Sequence, residues 1–541
     1  MLRSPPRTPP FRLLSLAALL ACGGSLLARA EEPAELPAAA ADVLVVCPEP
    51  FRAALQPWLA HRRGQGHSVA LLPTADSAAQ LREVIRAAAG HARYLLLVGD
   101  APSPALAEGG AAVPVHHLEA KVNIDWGSEP EIATDNYYAD LDGDSAPDLA
   151  VGRWCVDSAE ETAAAVRKTL DYEATADFGP WRQRVNFIAG LGGFGPLIDG
   201  TLEAWAKTLI TEGVPAGYAT SMTYASWRSP YCPHPSAFHA VCRQRLCEGC
   251  LFFVYIGHGQ HRGLDHVRTP GRPYPILESA DVPRLTAEHG APIALFLSCH
   301  AAAFDGPEDC LGEDLFRHDG GPVAVIGGSR VTMPYAMAVL GQRLLDECFL
   351  LRRATLGEML LAAKRGMILD ARDDERSQAL DAAAAAISPK PDQLAEERLE
   401  HVQMFNLLGD PLLRVPHPRP ITLEAPPTAP AGLPLLVRGR SDVAGRCTVE
   451  LVLRRDRLAF RPPHRDEYSE HQQVRDEYQQ VYERANDPRL SSVELEVTPG
   501  EFTVELPVPE AARGACHVRV FIAGASACAL GACDVQVRRP R

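Results

Sequence analysis

The sequence lacks an excess of positive charge, a nucleotide-binding loop and, beyond its first residues, any long apolar run. Its 541 residues include 53 Lys and Arg against 68 Asp and Glu, which gives a formal net charge of −15. A broad acidic excess argues against nucleic acid as the main partner. No zinc-finger or P-loop pattern stands out, and no later run reaches the roughly 18 apolar residues that a membrane span needs. We therefore expect a globular protein without a transmembrane span.

The N-terminal residues carry the features of an export signal in the required order. Arg3, Arg7 and Arg12 make the start positive, an apolar core occupies residues 13–20, and residues 28–30 (ARA) match a small-x-small cleavage site. This order predicts a signal peptide over residues 1–30. We therefore expect an exported protein that is extracellular, periplasmic or at the cell surface.

An alternative processing site lies within the same region. Residues 19–22 (LLAC) resemble a lipobox, and lipidation of Cys22 would anchor the mature protein to a membrane. Leucine is unusual at the second position of such a motif, and the ARA site competes with it. Both alternatives stay open, and both place the protein where disulfides are permitted.

The 14 cysteines fall into two groups of interest and several isolated positions. Cys528 and Cys533 flank the segment ALGA, and we expect a glycine turn there to let them close a hairpin with a disulfide. Four further cysteines, with two histidines, cluster over residues 232–250. Buried thiols or one disulfide are favoured there over zinc, because the spacing matches no standard zinc motif.

Short apolar runs alternate with amphipathic stretches over residues 42–416, as in DVLVVC and RYLLLVGD. Continuous apolar strands separated by helices predict an α/β fold with mostly parallel sheets. The same rhythm restarts near Arg184, so we expect two parts, an N-terminal α/β subdomain (42–180) and a second, catalytic α/β subdomain (181–416).

The composition changes after a proline-rich segment that follows the α/β region. Strands with alternating apolar and polar residues, such as CTVELVLR and CHVRVFIAG, predict a β-sandwich over residues 432–541. A polar stretch near 464–488 interrupts these strands. We expect this stretch to be a helical insertion surrounded by solvent.

Two apolar runs end in residues that a buried strand does not need. LFFVYI (251–256) continues into Gly257-His258-Gly259, and IALFL (293–297) continues into Ser298-Cys299. Catalytic groups of parallel sheets lie at the carboxyl ends of strands. An imidazole can take the proton of a thiol, and the resulting thiolate is a strong nucleophile. We therefore expect Cys299 to be a nucleophile and His258 to be its base.

Attack on a carbonyl also requires donors for the oxyanion that forms. Gly257 and Gly259 leave the backbone around His258 uncovered, so a substrate carbonyl could approach the Gly259 N–H. We expect the backbone N–H groups of Gly259 and Cys299 to serve as these donors.

Six sequence blocks in this order resemble the gingipain-like cysteine peptidases, peptidase family C25 of the caspase-like clan CD. The His block is YIGHG and the Cys block is FLSCHAAAFD. The resemblance implies a caspase-like fold, often followed by an Ig-like domain, and a Cys–His dyad that needs no cofactor. It implies a cysteine endopeptidase that cleaves proteins or peptides through a thioester acyl-enzyme. The blocks are residues 94–100, 135–153, 255–259, 296–305, 312–330 and 405–415.

The sequence departs from the gingipain-like pattern at three points. Many relatives have glycine three residues after the nucleophile, where this sequence has Ala302. Well-studied members place an acid beside the histidine from the loop after the strand RVNFIAG, but residues 191–193 are Leu-Gly-Gly here. The acid that selects basic substrates has no clear counterpart, and Asp199 and Glu203 are the nearest candidates.

Two alternative functions stay open at this point. A binding or assembly protein on a peptidase fold, with little turnover, would fit the missing acid and Ala302. A metal-dependent hydrolase would use the residues of HGQHRGLDH (258–266) and His300. Thiol alkylation and chelation would separate these alternatives, because the first inactivates a cysteine peptidase and the second a metalloenzyme.

The segment DLDGDSAPD could hold a structural ion. Calcium prefers several carboxylate oxygens on a tight glycine-containing loop, and four carboxylates this close would repel one another without a cation. We expect a structural calcium site at Asp140, Asp142, Asp144 and Asp148. The alternative is a polar turn in which the aspartates accept backbone N–H groups.

Overall fold

A computed structural model describes residues 38–103, 106, 110–193, 196–287, 289–369 and 375–539. The predicted signal peptide (1–30) and the alternative lipidation site at Cys22 lie outside the described residues. The α/β region occupies the first part of the described chain, and a β-rich region follows it. The main sheet of the α/β region consists of β1 (Val43–Val46), β2 (Val69–Leu72), β3 (Tyr94–Val98), β6 (Ala150–Trp154), β7 (Arg184–Ala189), β8 (Ala219–Tyr224), β9 (Phe252–Ile256), β14 (Ile293–Leu297), β15 (Ala324–Gly328) and β16 (Phe405–Leu408).

Three short antiparallel pairs lie outside the main sheet. They are β4 (His116–Glu119) with β5 (Glu131–Thr134), β10 (Gly259–Gln260) with β11 (Gly263–Leu264), and β12 (His266–Val267) with β13 (Tyr274–Pro275). Helices cover the main sheet, and no described helix is long and apolar enough to cross a membrane. The helices are α1 (Arg52–Gly64), α2 (Ala78–Ala88), α3 (Asn136–Ala139), α4 (Ala159–Ala174), α5 (Pro196–Glu212), α6 (Phe238–Cys247), α7 (Leu311–Arg317), α8 (Pro334–Phe349), α9 (Leu356–Leu369), α10 (Glu375–Ile387), α11 (Leu394–Met404) and α12 (Gln472–Asn486).

The main sheet has the strand order β2-β1-β3-β6-β16-β15-β14-β9-β7-β8. Strands β2 to β16 in this order run parallel to one another, and so do strands β15 to β8. The two halves run in opposite directions because β16 is antiparallel to β15. The predicted α/β class with a mostly parallel sheet is confirmed. Strands from both predicted α/β segments belong to one sheet, in which β16 of the second segment pairs with β6 of the first.

Burial on both faces of the sheet explains its continuous apolar runs. In β9, Phe252 and Val254 pack into one apolar cluster, whereas Phe253 and Tyr255 pack into another on the opposite face. A strand buried in this way needs no polar residue along its length. The polar residues therefore stand out where the strand ends, at His258.

The C-terminal β-rich region has two sheets that share one apolar core. The larger sheet has the order β17-β25-β24-β21-β22, with β19 also on β25, and the smaller has the order β18-β20-β23. Burial alternates strictly along β20, as the sequence pattern predicts. The strands are β17 (Arg419–Pro420), β18 (Thr422–Glu424), β19 (Thr428–Pro430), β20 (Leu435–Ser441), β21 (Gly445–Leu453), β22 (Arg489–Val497), β23 (Gly500–Leu506), β24 (Gly514–Ala523) and β25 (Cys528–Arg538).

The predicted hairpin disulfide between Cys528 and Cys533 is wrong. Both residues lie in the single strand β25, opposite Ala523 and Val518 of β24, and both are free thiols. Five positions of extended strand span roughly 16 Å, whereas disulfide-bonded Cα atoms lie within about 7 Å. The glycine in ALGA therefore does not make a turn, because pairing with β24 keeps the segment extended.

The cysteine cluster over residues 232–250 consists of free thiols. Cys232, Cys242 and Cys250 are buried, and Cys247 is partly exposed. Within the described residues, no group with the spacing of a metal site includes any of them. The favoured alternative of buried thiols agrees with this arrangement.

The insertion in the β-rich region is not surrounded by solvent. Its helix α12 buries Tyr478, Val481, Tyr482 and Ala485 on one face. The Tyr478 hydroxyl donates to the Trp227 carbonyl at 2.9 Å, so this face lies against the α/β region. The four buried residues recur at i, i+3, i+4 and i+7, a helical spacing that was visible in the sequence.

Candidate active site

His258 and Cys299 follow neighbouring parallel strands of the main sheet. Strands β9 and β14 pair in register, with Ile256 opposite Leu297 at their carboxyl ends. His258 and Cys299 each come two positions after these last paired residues. The structure therefore places the two predicted catalytic residues side by side, where the geometry of a parallel sheet leaves an open edge.

The two strand ends approach each other closely at Gly259. A Cβ atom at Gly259 would lie 2.3 Å from the Cys299 carbonyl oxygen and 2.9 Å from Ser298 Oγ. A Cβ atom at Gly257 would lie 2.7 Å from the Tyr255 hydroxyl. The glycines on both sides of His258 are thus required by close packing, which brings the histidine loop against the cysteine loop.

His258 is positioned by backbone and tyrosine contacts. Its Nε2 contacts the carbonyl oxygen of Gly192, in the loop after β7. The Tyr255 hydroxyl donates to the His258 carbonyl oxygen at 2.7 Å. The contact with a carbonyl requires the Nε2–H tautomer, in which Nδ1 is the basic nitrogen. A backbone carbonyl thus contacts the imidazole from the loop where studied gingipains supply an acid.

The Cys299 thiol lies beside Thr332, which follows β15. The Thr332 N–H points to Cys299 Sγ at 3.3 Å, and the Thr332 hydroxyl lies 3.6 Å from the same sulfur. Hydrogen bonds of this kind are stronger to an anion than to a neutral group. Thr332 would therefore stabilise a thiolate at Cys299, and no motif in the sequence pointed to this residue.

Cys299 differs from the buried thiols of the α/β region. It is partly exposed, whereas Cys47, Cys155 and Cys310 are buried. Burial raises the pKa of the Cys47 thiol to about 12, and burial also raises the pKa of Cys155 and Cys310. Such thiols are inert because they do not ionise near neutral pH.

The loop after Cys299 is fixed by an ion pair. Arg330 donates to both carboxylate oxygens of Asp305, at 2.8 and 2.6 Å, and His117 lies 2.9 Å from the same carboxylate. Burial disfavours ionisation of Asp305, but these hydrogen bonds outweigh it and hold its pKa well below its usual range. His300 has a φ of +54°, so the turn after the nucleophile is held in a conformation that side chains other than glycine seldom adopt.

Ala302 stands where many gingipain-like peptidases have glycine. It is fully buried, and its N–H donates to the Gly328 carbonyl at 3.0 Å. It does not line the cavity around Cys299. The Ala302 methyl group is therefore part of the packing beneath the nucleophile loop and not of the cavity surface.

His258 and Cys299 line one cavity of about 160 Å³. We call its side with the dyad the inner wall; it also includes Gly190, Gly192 and Thr332, which follow strands that have a neighbour on each side. We call the opposite side the outer wall; it comprises Glu203, Trp205 and Ala206 of α5, and Tyr224 at the end of the edge strand β8.

The structure places only one of the two predicted specificity acids in the cavity. Glu203 lies on the outer wall and accepts a hydrogen bond from the Tyr224 hydroxyl. Asp199 belongs to α5, but its side chain lies outside the described residues. Trp205 and Tyr224 had no signal in the sequence, because their place on the wall depends on how α5 packs against β8.

The C-terminal region holds both elements of the outer wall. Asn486 accepts from the Met222 N–H of β8 at 2.7 Å and donates to the Met222 carbonyl at 3.0 Å, as a neighbouring strand would. Tyr482 shares a 2.7 Å hydrogen bond with Thr223 of β8. Arg455 donates to four carbonyls at the end of α5 and in the turn that follows, those of Ile210, Val214, Pro215 and Tyr218.

The acidic segment brings three of its four aspartates together. One carboxylate oxygen from each of Asp140, Asp142 and Asp148 lies within 4.8 Å of the others. Asp144 is not in this group, and its Oδ1 accepts from the Ala146 N–H at 2.8 Å. The Asp140 carboxylate accepts backbone N–H groups from two residues of the turn, at 2.6 and 3.1 Å.

The alternative of a metal hydrolase at His258 receives no support from the geometry. Three groups of described side chains have the spacing of a metal site, and none includes His258, His261 or His266. Besides the acidic segment, these groups surround Asp100, which pairs with Arg317 at 2.7 Å. The arginine already provides a cation there.

Comparison with known proteins identifies the family of the chain. Residues 36–416 match a family described as peptidase family C25. The Lys-gingipain of Porphyromonas gingivalis is 26% identical over 292 residues, which cover 53% of this chain and 15% of that protein. The chain therefore matches only a small part of the length of this curated relative.

Solved structures show the same fold over most of the chain. The crystal structure of the Arg-specific cysteine proteinase gingipain R aligns with a TM-score of 0.51 at 15% identity, covering 92% of this chain and 98% of that one. The complex of the pro- and mature domains of a Porphyromonas gingivalis gingipain aligns with the same TM-score at 16% identity, covering 92% and 100%. The α/β fold of this protein is thus gingipain-like, and the chain belongs to peptidase family C25.

Proposed function

We propose that the protein is an exported cysteine endopeptidase in which Cys299 is the nucleophile and His258 is the general base and acid. The observation that carries the proposal is the convergence of these residues on one cavity from neighbouring strand ends. Membership of a cysteine peptidase family supports it. The substrates would be proteins or peptides, because the chain belongs to a peptidase family.

The reaction proceeds in two halves. His258 takes the Cys299 proton, and the thiolate attacks the peptide carbonyl to form a tetrahedral oxyanion. Collapse of this intermediate breaks the C–N bond, the imidazolium gives its proton to the leaving amine, and a thioester remains. Water, deprotonated by His258, then attacks the thioester, and cleavage of the C–S bond releases the acid and regenerates Cys299. No cofactor is required for these steps.

The Gly192 carbonyl would take the role of a third member. Accepting the Nε2–H of His258 fixes the tautomer and stabilises the imidazolium that forms during each half-reaction. A carbonyl carries only a partial negative charge, so it would stabilise the imidazolium less than a carboxylate does. The N–H groups of Gly259 and Cys299 would hold the oxyanion, because they lie on the two loops that meet at the dyad.

The outer wall would select the substrate side chain. Glu203 places a carboxylate in the cavity and would favour a cationic side chain at P1 (the residue before the cut bond). Asp199 is the second candidate for this role. The similar proteins include a Lys-gingipain and an Arg-specific gingipain R, which is consistent with an acidic selector.

The proposal has three further parts. They are export, an Ig-like character of the two-sheet C-terminal region, and structural calcium at Asp140, Asp142 and Asp148. The sequence order of the N-terminal residues supports export. The shared apolar core of the two sheets supports a sandwich. Three converging carboxylates support calcium, and Asp144 would act only through the turn.

A Cys299→Ala variant tests the dyad most directly. We expect its kcat/KM on a peptide library to fall at least about 1000-fold. Cys247→Ala is the matched control, because Cys247 is also partly exposed but does not line the cavity. Iodoacetamide should inactivate the wild type and the control equally.

Near-wild-type turnover by Cys299→Ala would show that the nucleophile is wrong. A wild-type protein that binds peptides, is alkylated at Cys299 and turns over no library member would favour the alternative of a binding or assembly protein on a peptidase fold. Measuring binding and turnover on the same peptides therefore separates the two functions.

A further inference from the structure

A second, apolar cavity of about 160 Å³ lies beside the candidate active site. The two cavities share the wall residues Trp205 and Pro334. The other walls of the apolar cavity include Trp126, Tyr335 and Ile387. A bound chain that extends past Trp205 from Cys299 would therefore meet this cavity next.

Trp126 is an exposed aromatic side chain on a fixed loop. It is 43% exposed and ends a 3-10 turn at residues 123–126. The Glu400 carboxylate accepts the N–H groups of Lys121, Val122 and Asn123, the last two at 2.8 and 2.9 Å. Because the backbone is held in this way, the exposure of Trp126 is built into the fold. Rigid, partly exposed tryptophans are typical anchors of binding sites.

The lining of the apolar cavity includes one carboxylate, Glu397, which accepts the Ala336 N–H at 3.1 Å. Lys390 pairs with Asp125 and so joins the Trp126 loop to the segment after α10. The Tyr335 hydroxyl donates to Asp381 Oδ1 at 2.6 Å. These contacts hold in place the elements that form the walls. The ligand that fits such a surface is an apolar side chain without charge.

We propose that this cavity is a substrate subsite that binds one apolar side chain of the peptide, at a position other than P1. The proposal rests on the proposed peptidase function. The apolar cavity is adjacent to the Cys299 cavity, with which it shares Trp205 and Pro334, so the same peptide is its occupant. The P1 side chain enters the cavity of the dyad, and a neighbouring side chain enters between Trp126, Trp205 and Ile387.

Profiling with a decapeptide library, randomised at every position, tests the subsite. We expect the wild type to prefer apolar residues at one position beyond P1. Trp126→Ala should lower kcat/KM about tenfold for peptides that carry such a residue and leave peptides with glycine there unchanged. Ile124→Ala is the matched control, because Ile124 is also 43% exposed on the same turn but does not line the cavity.

Binding of the same peptides to Cys299→Ala protein gives a readout that does not need turnover. Apolar peptides should bind about tenfold more tightly than their glycine counterparts, and Trp126→Ala should remove this difference. Equal binding of both sets, or an equal loss across all peptides, would overturn the subsite even if the peptidase function stands. Dimerisation that is abolished by Trp126→Ala would also overturn it, because the occupant would then be a second copy of the chain.

Discussion

The inner and outer walls of the candidate active-site cavity are held in different ways. The inner wall carries His258 and Cys299 on strands that have neighbours on both sides. The outer wall carries Glu203 and Trp205 on α5 and Tyr224 on β8, which is the last strand of the sheet. The inner wall is thus held by strand pairing within the α/β region, whereas the elements of the outer wall are also held by contacts from the C-terminal region.

This difference suggests that the inner wall carries out the reaction and the outer wall selects the substrate. An edge strand presents unpaired backbone groups, and here Asn486 satisfies the N–H and C=O of Met222. The last carbonyls of a helix likewise lack partners within the helix, and Arg455 donates to one of them, that of Ile210, at the end of α5. Damage to the inner wall should abolish turnover, whereas damage to the outer wall should change which substrates bind.

The inner wall should be broken most severely by Gly259→Ala. The added Cβ would lie 2.3 Å from the Cys299 carbonyl oxygen, a backbone atom that cannot move without displacing the nucleophile. We expect a loss of kcat/KM of at least about 100-fold, because small displacements of reacting groups are costly. Gly271→Ala is the control, since the nearest atom to its added Cβ lies 4.0 Å away. Wild-type activity in Gly259→Ala would refute the close approach of the two loops.

The outer wall should respond to Arg455→Met, although Arg455 lies in the C-terminal region. Removing the guanidinium takes one donor away from four carbonyls, one of which, that of Pro215, keeps a backbone N–H as a second donor. The end of α5 should therefore shift and carry Glu203 and Trp205 with it. We expect an increase in KM that lowers kcat/KM about 30-fold, with little change in the rate of Cys299 alkylation. Steady-state kinetics and iodoacetamide labelling would measure the two effects.

Two controls distinguish positioning by Arg455 from general stabilisation. Arg455→Lys should restore part of the loss, because an ammonium provides three donors without the planar fork. Arg454→Ala should change nothing, since Arg454 is an exposed residue paired with Asp456. A fall in melting temperature without a change in KM would mean that Arg455 only stabilises the fold.

Much of the inner wall could be predicted from the sequence, and little of the outer wall could. Apolar runs that stop at His258 and Cys299 are local signals, because a buried strand has no other use for these residues. Thr332 and Trp205 join the site only through packing between distant segments, and Arg455 acts from another region. The predicted disulfide between Cys528 and Cys533 is wrong for the same reason. Pairing with β24, a strand from another part of the sequence, keeps the glycine between them extended.

A smaller effect is expected at the outer wall from Glu203→Gln. The substitution keeps the size of the side chain and removes its charge, so only electrostatic selection should change. We expect kcat/KM to fall about tenfold for peptides with Lys or Arg at P1 and to stay constant for neutral P1 residues. Glu212→Gln, in the same helix but away from the cavity, is the control. An unchanged P1 profile would leave Asp199 as the candidate selector.

The smallest effect on activity should come from calcium, which would act on neither wall. The acidic segment precedes β6, which β16 and β15 separate from β14 in the sheet. Binding to the folded state alone would raise the melting temperature by about 2 °C in millimolar calcium and leave kcat/KM unchanged.

Asp142→Asn should abolish this shift, because Asp142 belongs to the converging group. Asp144→Asn should retain it, because the amide oxygen can still accept the Ala146 N–H. Equal melting temperatures with calcium and with excess chelator would instead identify the segment as a polar turn, in which backbone N–H groups and the nearby Arg82 and Arg365 offset the carboxylates.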